Sequence, residues 1–317
     1  MAFPFARLTQ VKPAGQRSVQ HGRMTTKLLV PFDGSPAASR AVDLLAGYAG
    51  ETAALAAVLL NVQTRPVSLW PGAGLSAGAI DAALLDGARR TLEPAALRLH
   101  SAGIAAEAQV RLGMAAEVIL REAAAAKADA VVMGTRGGGA LHGFALGSVA
   151  LRVAHGDGPP VILVKPDDRL PAGFGKRLRV LIALDGSAPA LRAAERLVAW
   201  RGWLGELEVH LAYVQRPLTV LEHILPPHDD VLGQWSTQEG REATQAAREL
   251  FRSAGIEQHL HLTVGDPALE LRTLAAQTSS DLVVLGTRGL GATHHALVGS
   301  VALKTAALSS VPVLLVP

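Results

Sequence analysis

A chain of 317 residues with 49% hydrophobic and 18% charged side chains has room for two ordinary domains and is too apolar for general disorder. It contains no cysteine, which excludes disulfides and thiolate chemistry and points to a reducing compartment, the cytoplasm. Its densest apolar run, 53–60, is far short of the roughly 18 residues of a membrane span. The net charge of +3 comes from a tail, residues 1–23, with four basic and no acidic side chains; residues 24–171 and 172–317 are close to balanced, so no nucleic-acid partner is expected.

The tail, with Arg7, Lys12, Arg17 and Arg23, lacks the apolar core of a secretory signal and reads as disordered. Met24, just before the first strand, is a candidate alternative start. From there the chain reads as two copies of one domain, 24–170 and 171–317, offset by 152 residues. Lys27-Leu-Leu-Val-Pro-Phe-Asp-Gly-Ser35 aligns with Arg179-Val-Leu-Ile-Ala-Leu-Asp-Gly-Ser187, and Gly134-Thr-Arg-Gly137 with Gly286-Thr-Arg-Gly289.

Each copy alternates strands and helices. Apolar runs at 28–32 and 180–184 predict a first buried strand, followed by helices that Ser35 and Ser187 can cap. Second strands are predicted at 56–62 and 208–214, then helices at 89–100 and 241–252 that end near Gly103 and Gly255. After a short third strand, Gly265-Asp-Pro267 opens a well-capped helix, whereas Gly113-Met-Ala115 lacks both the cap and the proline. Fourth strands fall at 130–133 and 282–285, last helices begin at Ser148 and Ser300, and fifth strands fall at 161–164 and 313–316. The βαβαβαβαβ order implies a doubly wound parallel sheet in each copy, with 166–175 as the linker.

Directly after strand four, the first copy reads Gly134-x2-Gly137-x9-Gly147-Ser148 and the second Gly286-x2-Gly289-x9-Gly299-Ser300. Glycines let backbone amides approach an anion, and the helix that Ser148 or Ser300 begins offers unpaired N–H groups at its positive end, so phosphate binding is expected. Asp33 and Asp185 end strand one, beside strand four. A carboxylate there would repel phosphate and is better placed on ribose hydroxyls or a base edge, although an aspartate before glycine also serves as a turn residue.

The Asp-Gly-Ser after strand one, combined with these glycine loops, resembles the universal stress protein family, in its two-domain form. The resemblance implies open five-stranded sheets of order 3-2-1-4-5 and ATP, with or without Mg2+, in each crevice. It assigns base contacts to Pro31, Asp33, Val62 and Met133, the ribose side to Gly134, and phosphate contacts to Gly137, Gly147, Ser148 and Val149. The second site would use Asp185, Val214, Leu285, Gly286, Gly289, Gly299, Ser300 and Val301; Ala183 replaces Pro31. It also implies that 161–164 and 313–316 pair antiparallel, making the chain a pseudo-dimer; a homodimer beyond that is left open.

Arg136 and Arg288, or Mg2+, are candidates to balance phosphate charge. His142, His294 and His295 lie nearest to any attacking water, yet none is assigned as a catalytic base. Glu222, His223, His228, Asp229 and Asp230 offer metal-ligand types, but in a Pro-rich loop without a counterpart in the first copy, and no metal site is expected there. The expectation is an ATP-binding regulatory stress-response protein rather than an enzyme. A slow ATPase and a nucleotide-independent interaction module are the alternatives.

Overall fold

The computed structural model describes residues 24–50, 53–65, 77–137, 146–155, 158–215, 229–289 and 298–317. The expected disorder of the tail lies outside them. The first half runs β1 (Met24–Pro31), α1 (Pro36–Ala46), β2 (Ala53–Gln63), α2 (Ala77–Ser101), β3 (Ala105–Leu112), α3 (Ala115–Ala126), β4 (Ala130–Gly134), α4 (Ser148–His155) and β5 (Val161–Val164). The second runs β6 (Arg177–Ala183), α5 (Ala188–Ala199), a one-turn α6 (Arg201–Leu204), β7 (Glu206–Gln215), α7 (Asp229–Ser253), β8 (Glu257–Val264), α8 (Pro267–Gln277), β9 (Leu282–Gly286), α9 (Ser300–Leu308) and β10 (Val313–Val316). No helix among the described residues is long and apolar enough to cross a membrane.

Capping follows the sequence. Ser35 and Ser187 accept hydrogen bonds from Ala38 and Ala190, and Pro36 fits the first turn of α1, where its missing N–H costs nothing. Asp266 caps α8 through the amides of Ala268 and Leu269, whereas Met114 makes no side-chain cap at α3. Asp266 also pairs with Lys304 at 2.7 Å, which holds its carboxyl below the usual range. Gly103 and Gly255 end their helices at φ +77° and +65°, a region that favours glycine.

The strands form one ten-stranded sheet in the order β3-β2-β1-β4-β5-β10-β9-β6-β7-β8, so each half shows the order 3-2-1-4-5. Neighbours within a half are parallel. At the seam β5 and β10 are antiparallel, with Val313 opposite Leu163, Leu314 opposite Ile162 and Leu315 opposite Val161. Ile162 and Leu314 are themselves equivalent positions, so a pseudo-twofold axis passes through that pair. One apolar core lies under α1, α2, α5, α6 and α7, and a second under α3, α4, α8 and α9; both run unbroken across the seam.

The linker is packed against both halves. Phe174 sits edge-on between Tyr48 and Trp203, with ring centroids 5.8 Å from each, and Trp203 meets Trp200 at 5.2 Å beside α6. The Arg40 guanidinium donates twice to the Asp168 carbonyl, and Arg169 reaches Ser310 and Ser280 in the second half. Lys165 donates through Nζ to the Ala307 and Ser309 carbonyls at the end of α9, where a cation is favoured.

Asp168 is 1% exposed. Its Oδ2 accepts the Lys165 amide at 2.7 Å, while Oδ1 accepts no hydrogen bond and lies 3.7 Å from Lys165 Nζ. Burial outweighs the lysine and pushes this carboxyl up to about 6. The folded chain therefore holds a proton that the unfolded chain releases near pH 4, and the group's contribution to stability falls as pH rises from about 4 to about 6. The loss is at most about 3 kcal/mol. Unfolding free energies measured from pH 4 to 7 should show this slope in the wild type and not in Asp168→Asn; identical profiles would place the titration elsewhere.

Candidate functional site

Adjacent parallel strands β1 and β4 sit in the middle of the first half, yet the chain leaves them toward opposite faces of the sheet. After β1 it enters α1, in the layer with α2; after β4 it leads to α4, in the layer with α3. This divergence opens a crevice at the carboxyl ends of the two strands, the place where open α/β sheets bind ligands. The sheet order puts the same divergence between β6 and β9.

In the first half the crevice is a cavity of about 440 Å³, within the range of small-molecule sites. All nine residues expected there from sequence line it: Pro31, Asp33, Val62, Met133, Gly134, Gly137, Gly147, Ser148 and Val149. The lining divides by chemistry. The flank beside β2 and α3 is aliphatic, with Leu60, Val62, Ala115 and Ile119, and Met133 continues it on β4. The flank beside α4 presents glycine backbone and the exposed Ser148. Leu60, Ala115, Ile119, Ser35 and Thr135 were not foreseen as site residues. For Ile119 the apolar stripe of α3 was the available signal.

The Asp-Gly-Ser turn is built by its own hydrogen bonds. Gly34 takes φ +81°, which allows the Ser35 amide to donate to Asp33 Oδ1 at 3.0 Å. Ser35 Oγ then caps α1 and donates to the Arg136 carbonyl at 3.2 Å, tying this turn to the glycine loop. The second half repeats it: Gly186 is at φ +78°, and the Ser187 amide donates to Asp185 Oδ1 at 3.0 Å. Each aspartate thus serves as a turn residue through one oxygen. The other oxygen faces the loop, because a Cβ at Gly137 would lie 2.5 Å from Asp33 Oδ2, and one at Gly289 would likewise collide with Asp185.

The three glycines of each loop have different physical reasons. A Cβ at Gly134 would fall 2.7 Å from the backbone of Ala37 and Ala38, so this glycine lets the start of α1 pack on β4; Gly286 stands in the same relation to Pro189 and Ala190. Gly137 keeps space open beside a carboxylate. The Gly147 amide donates to the Thr135 carbonyl at 2.8 Å, and that of Gly299 to Thr287 at 2.7 Å. These two amides close the loop, so any phosphate contact of Gly147 or Gly299 rests on the close approach that a missing Cβ allows and not on their N–H groups. The first intrahelical bonds run from Leu151 to Gly147 and from Leu303 to Gly299. The amides of Ser148, Val149 and Ala150, and of Ser300, Val301 and Ala302, therefore have no acceptor within their helices and are the donors each helix offers.

In the second half Val214 lies on β7, Leu285 and Gly286 end β9, Asp185 and Gly289 follow β6 and β9, Gly299 is the N-cap of α9, and Ser300 and Val301 are in its first turn. Beside this crevice wall, on the other face of the second strand, the halves differ: Tyr213 stands where the first half has Asn61. Asn61 donates to the Phe32 carbonyl at 2.8 Å and accepts from Gln63. Tyr213 is buried and hydrogen-bonded to Glu239, and burial pushes its phenol up to about 12. His142, His294, His295, Glu222, His223 and His228 lie outside the described residues; Asp229 and Asp230 begin α7.

These contacts separate a folding glycine from a binding glycine. Gly134→Ala should lower stability by about 1–3 kcal/mol through overpacking against α1. Gly137→Ala should leave thermal unfolding close to wild type while displacing the Asp33 carboxylate. Equal melting losses in the two variants would contradict this division.

A sequence model of the universal stress protein family matches residues 24–165 and again 176–317. A universal stress protein of Mycolicibacterium smegmatis is 27% identical over 278 residues, covering 81% of this chain and 86% of that protein. The universal stress protein YxiE of Bacillus subtilis is 30% identical over 149 residues, covering 44% of this chain and 97% of its own length. A crystal structure of a universal stress protein from Archaeoglobus fulgidus shares the fold, with a TM-score of 0.64 at 22% identity over 92% of this chain and 95% of that one. With both halves matched and the tandem arrangement retained across its whole sheet, the chain belongs to the universal stress protein family.

Proposed function

We propose that each crevice binds an adenine nucleotide, ATP with Mg2+ sharing the phosphate charge, and that occupancy makes this a nucleotide-dependent regulatory protein of the stress response, in the cytoplasm. The observation that carries the reading is the two-sided lining of the cavity. An aliphatic wall of Pro31, Val62 and Met133 suits the faces of a base, and the first-turn amides of α4 suit its phosphates. Asp33, turned toward Gly137 between these two ends, is suited to accept hydrogen bonds from ribose hydroxyls or a base amine, with Gly134 on the ribose side.

Gly137, Gly147, Ser148 and Val149 would surround the phosphates. In the second half Val214 and Leu285 supply the wall, Asp185 and Gly286 the middle, and Gly289, Gly299, Ser300 and Val301 the phosphate end. Bound Mg2+ would supply positive charge against the phosphate oxygens. Binding alone is sufficient for a regulatory role, so the reading requires no hydrolysis.

Calorimetric titration with ATP in the presence of Mg2+, alongside ADP, AMP and cyclic AMP, tests the proposal. Two sites per chain are expected, of unequal affinity because Ala183 replaces Pro31 of the first wall. Gly147→Val and Gly299→Val should each remove one site and together both, with unliganded melting as the folding control. ATP at 100 times Kd should stabilise the wild type by about 2.7 kcal/mol for each site. Absent binding, or unchanged stoichiometry in the folded variants, would overturn the assignment.

A further inference from the structure

On the outer part of the second half, the sheet gathers three histidines that neither crevice uses. β7 and β8 pair in parallel, with His210 beside His259 and Ala212 beside His261. Side chains two apart on a strand share a face, so His259 and His261 stand together next to His210. The buried His210 ring lies 5.0 Å from that of His259 and 5.2 Å from that of His261, centroid to centroid, and its Nδ1 is 3.0 Å from His261 Nε2. The equivalent positions in the first half are Val58, Glu107 and Gln109, so the fold does not require histidine here.

We propose that His210, His259 and His261 form a binding site for a divalent transition-metal ion of the zinc type. Two imidazole nitrogens, each about 2.0–2.1 Å from a tetrahedral zinc ion, lie about 3.3 Å apart. The separation between His210 and His261 is already within a few tenths of an ångström of that bite. Behind His210, Nε2 faces Glu208 Oε1 at 3.4 Å, and Arg177 holds the same carboxylate at 3.1 Å. The contact is electrostatic and not a formed hydrogen bond, yet a carboxylate in that position favours the proton on Nε2 and leaves the Nδ1 lone pair for the metal.

Burial lowers the pKa of both His210 and His261, which favours the neutral rings that ligation needs. Without metal, the 3.0 Å separation is spanned by an N–H···N hydrogen bond; binding moves that shared proton to the far nitrogen of His261. As the side chains stand, no group of three or more His, Cys, Asp or Glu among the described residues is arranged to hold a metal ion, so the site forms only with a turn of one ring. His259 completes the set by turning out of its 3.3 Å contact with Glu257 and its stacking on His210, a turn that its 46% exposed side chain has solvent on one side to make. Water fills the fourth position. Because β8 is the outermost strand, the ion arrives from the sheet edge without crossing the core.

The test is titration of the full chain, without nucleotide, with Co2+ as the spectroscopic probe and Zn2+ as competitor. One Co2+ per chain should give the visible absorption of a tetrahedral site, displaced by Zn2+. The paired change His259→Glu and His261→Gln, which installs the first half's residues, should abolish that band and weaken Zn2+ binding at least tenfold. His294→Ala with His295→Ala should change neither. Zn2+ affinity within twofold of wild type in the paired variant would overturn the site, as would a wild-type protein that gives no tetrahedral band. Should the paired variant fold poorly, His259→Ala alone, at an exposed edge position, must still shift or weaken the tetrahedral band by removing one nitrogen ligand; an unaltered band overturns the proposal.

Discussion

The antiparallel pairing of β5 with β10 is the constraint on which the rest of the molecule depends. Each is a four-residue aliphatic strand, Val-Ile-Leu-Val in β5 and Val-Leu-Leu-Val in β10, buried along its length. Left as an edge, either would be a template for aggregation. Paired, each supplies the other's missing neighbour, and fully burying side chains of this size stabilises by about 1.5–3 kcal/mol apiece. The pairing turns two five-stranded sheets into one and lets both cores run through the seam. It also fixes where the crevices open. Strands within a half are parallel and the halves are antiparallel, so the carboxyl ends, and with them the two crevices, face opposite edges of the continuous sheet.

Seen from the seam, the linker follows from the same geometry. The chain leaves β5 on the edge where α9 ends, and Lys165 meets the carbonyls of Ala307 and Ser309 there. The next residues are held by Arg40 from one half and by Ser310 from the other. Asp168, buried in this junction with one oxygen lacking a hydrogen bond, is a cost to the folded state at neutral pH. Phe174, between Tyr48 and Trp203, adds an aromatic contact across the halves.

Much of this was legible in the sequence because the signals are local or repeated. The duplicated Asp-Gly-Ser and glycine spacing marked both crevices, and Ser35, Ser187 and Asp266 announced the helices they cap. What stayed hidden depends on contacts between distant segments. Gly134 reads as a glycine of the nucleotide loop, on the ribose side, yet its missing Cβ is required by α1, nearly a hundred residues earlier. The Gly147 amide reads as an anion donor, yet it is used to close the loop onto Thr135. The spacing of His259 and His261 is visible on one strand, but His210 joins them only through the register of β7 with β8. The linker's polar residues gave no hint that Asp168 is buried.

The central claim is that nucleotide phosphates rest on the first turns of α4 and α9. Amide hydrogen exchange resolved to single residues, with and without saturating ATP and Mg2+, tests it most directly. The account predicts slowed exchange at Ser148, Val149 and Ala150 and at Ser300, Val301 and Ala302, with the Gly147 and Gly299 amides, already bonded to Thr135 and Thr287, changing less. Bound ATP that leaves those six amides unprotected would contradict it.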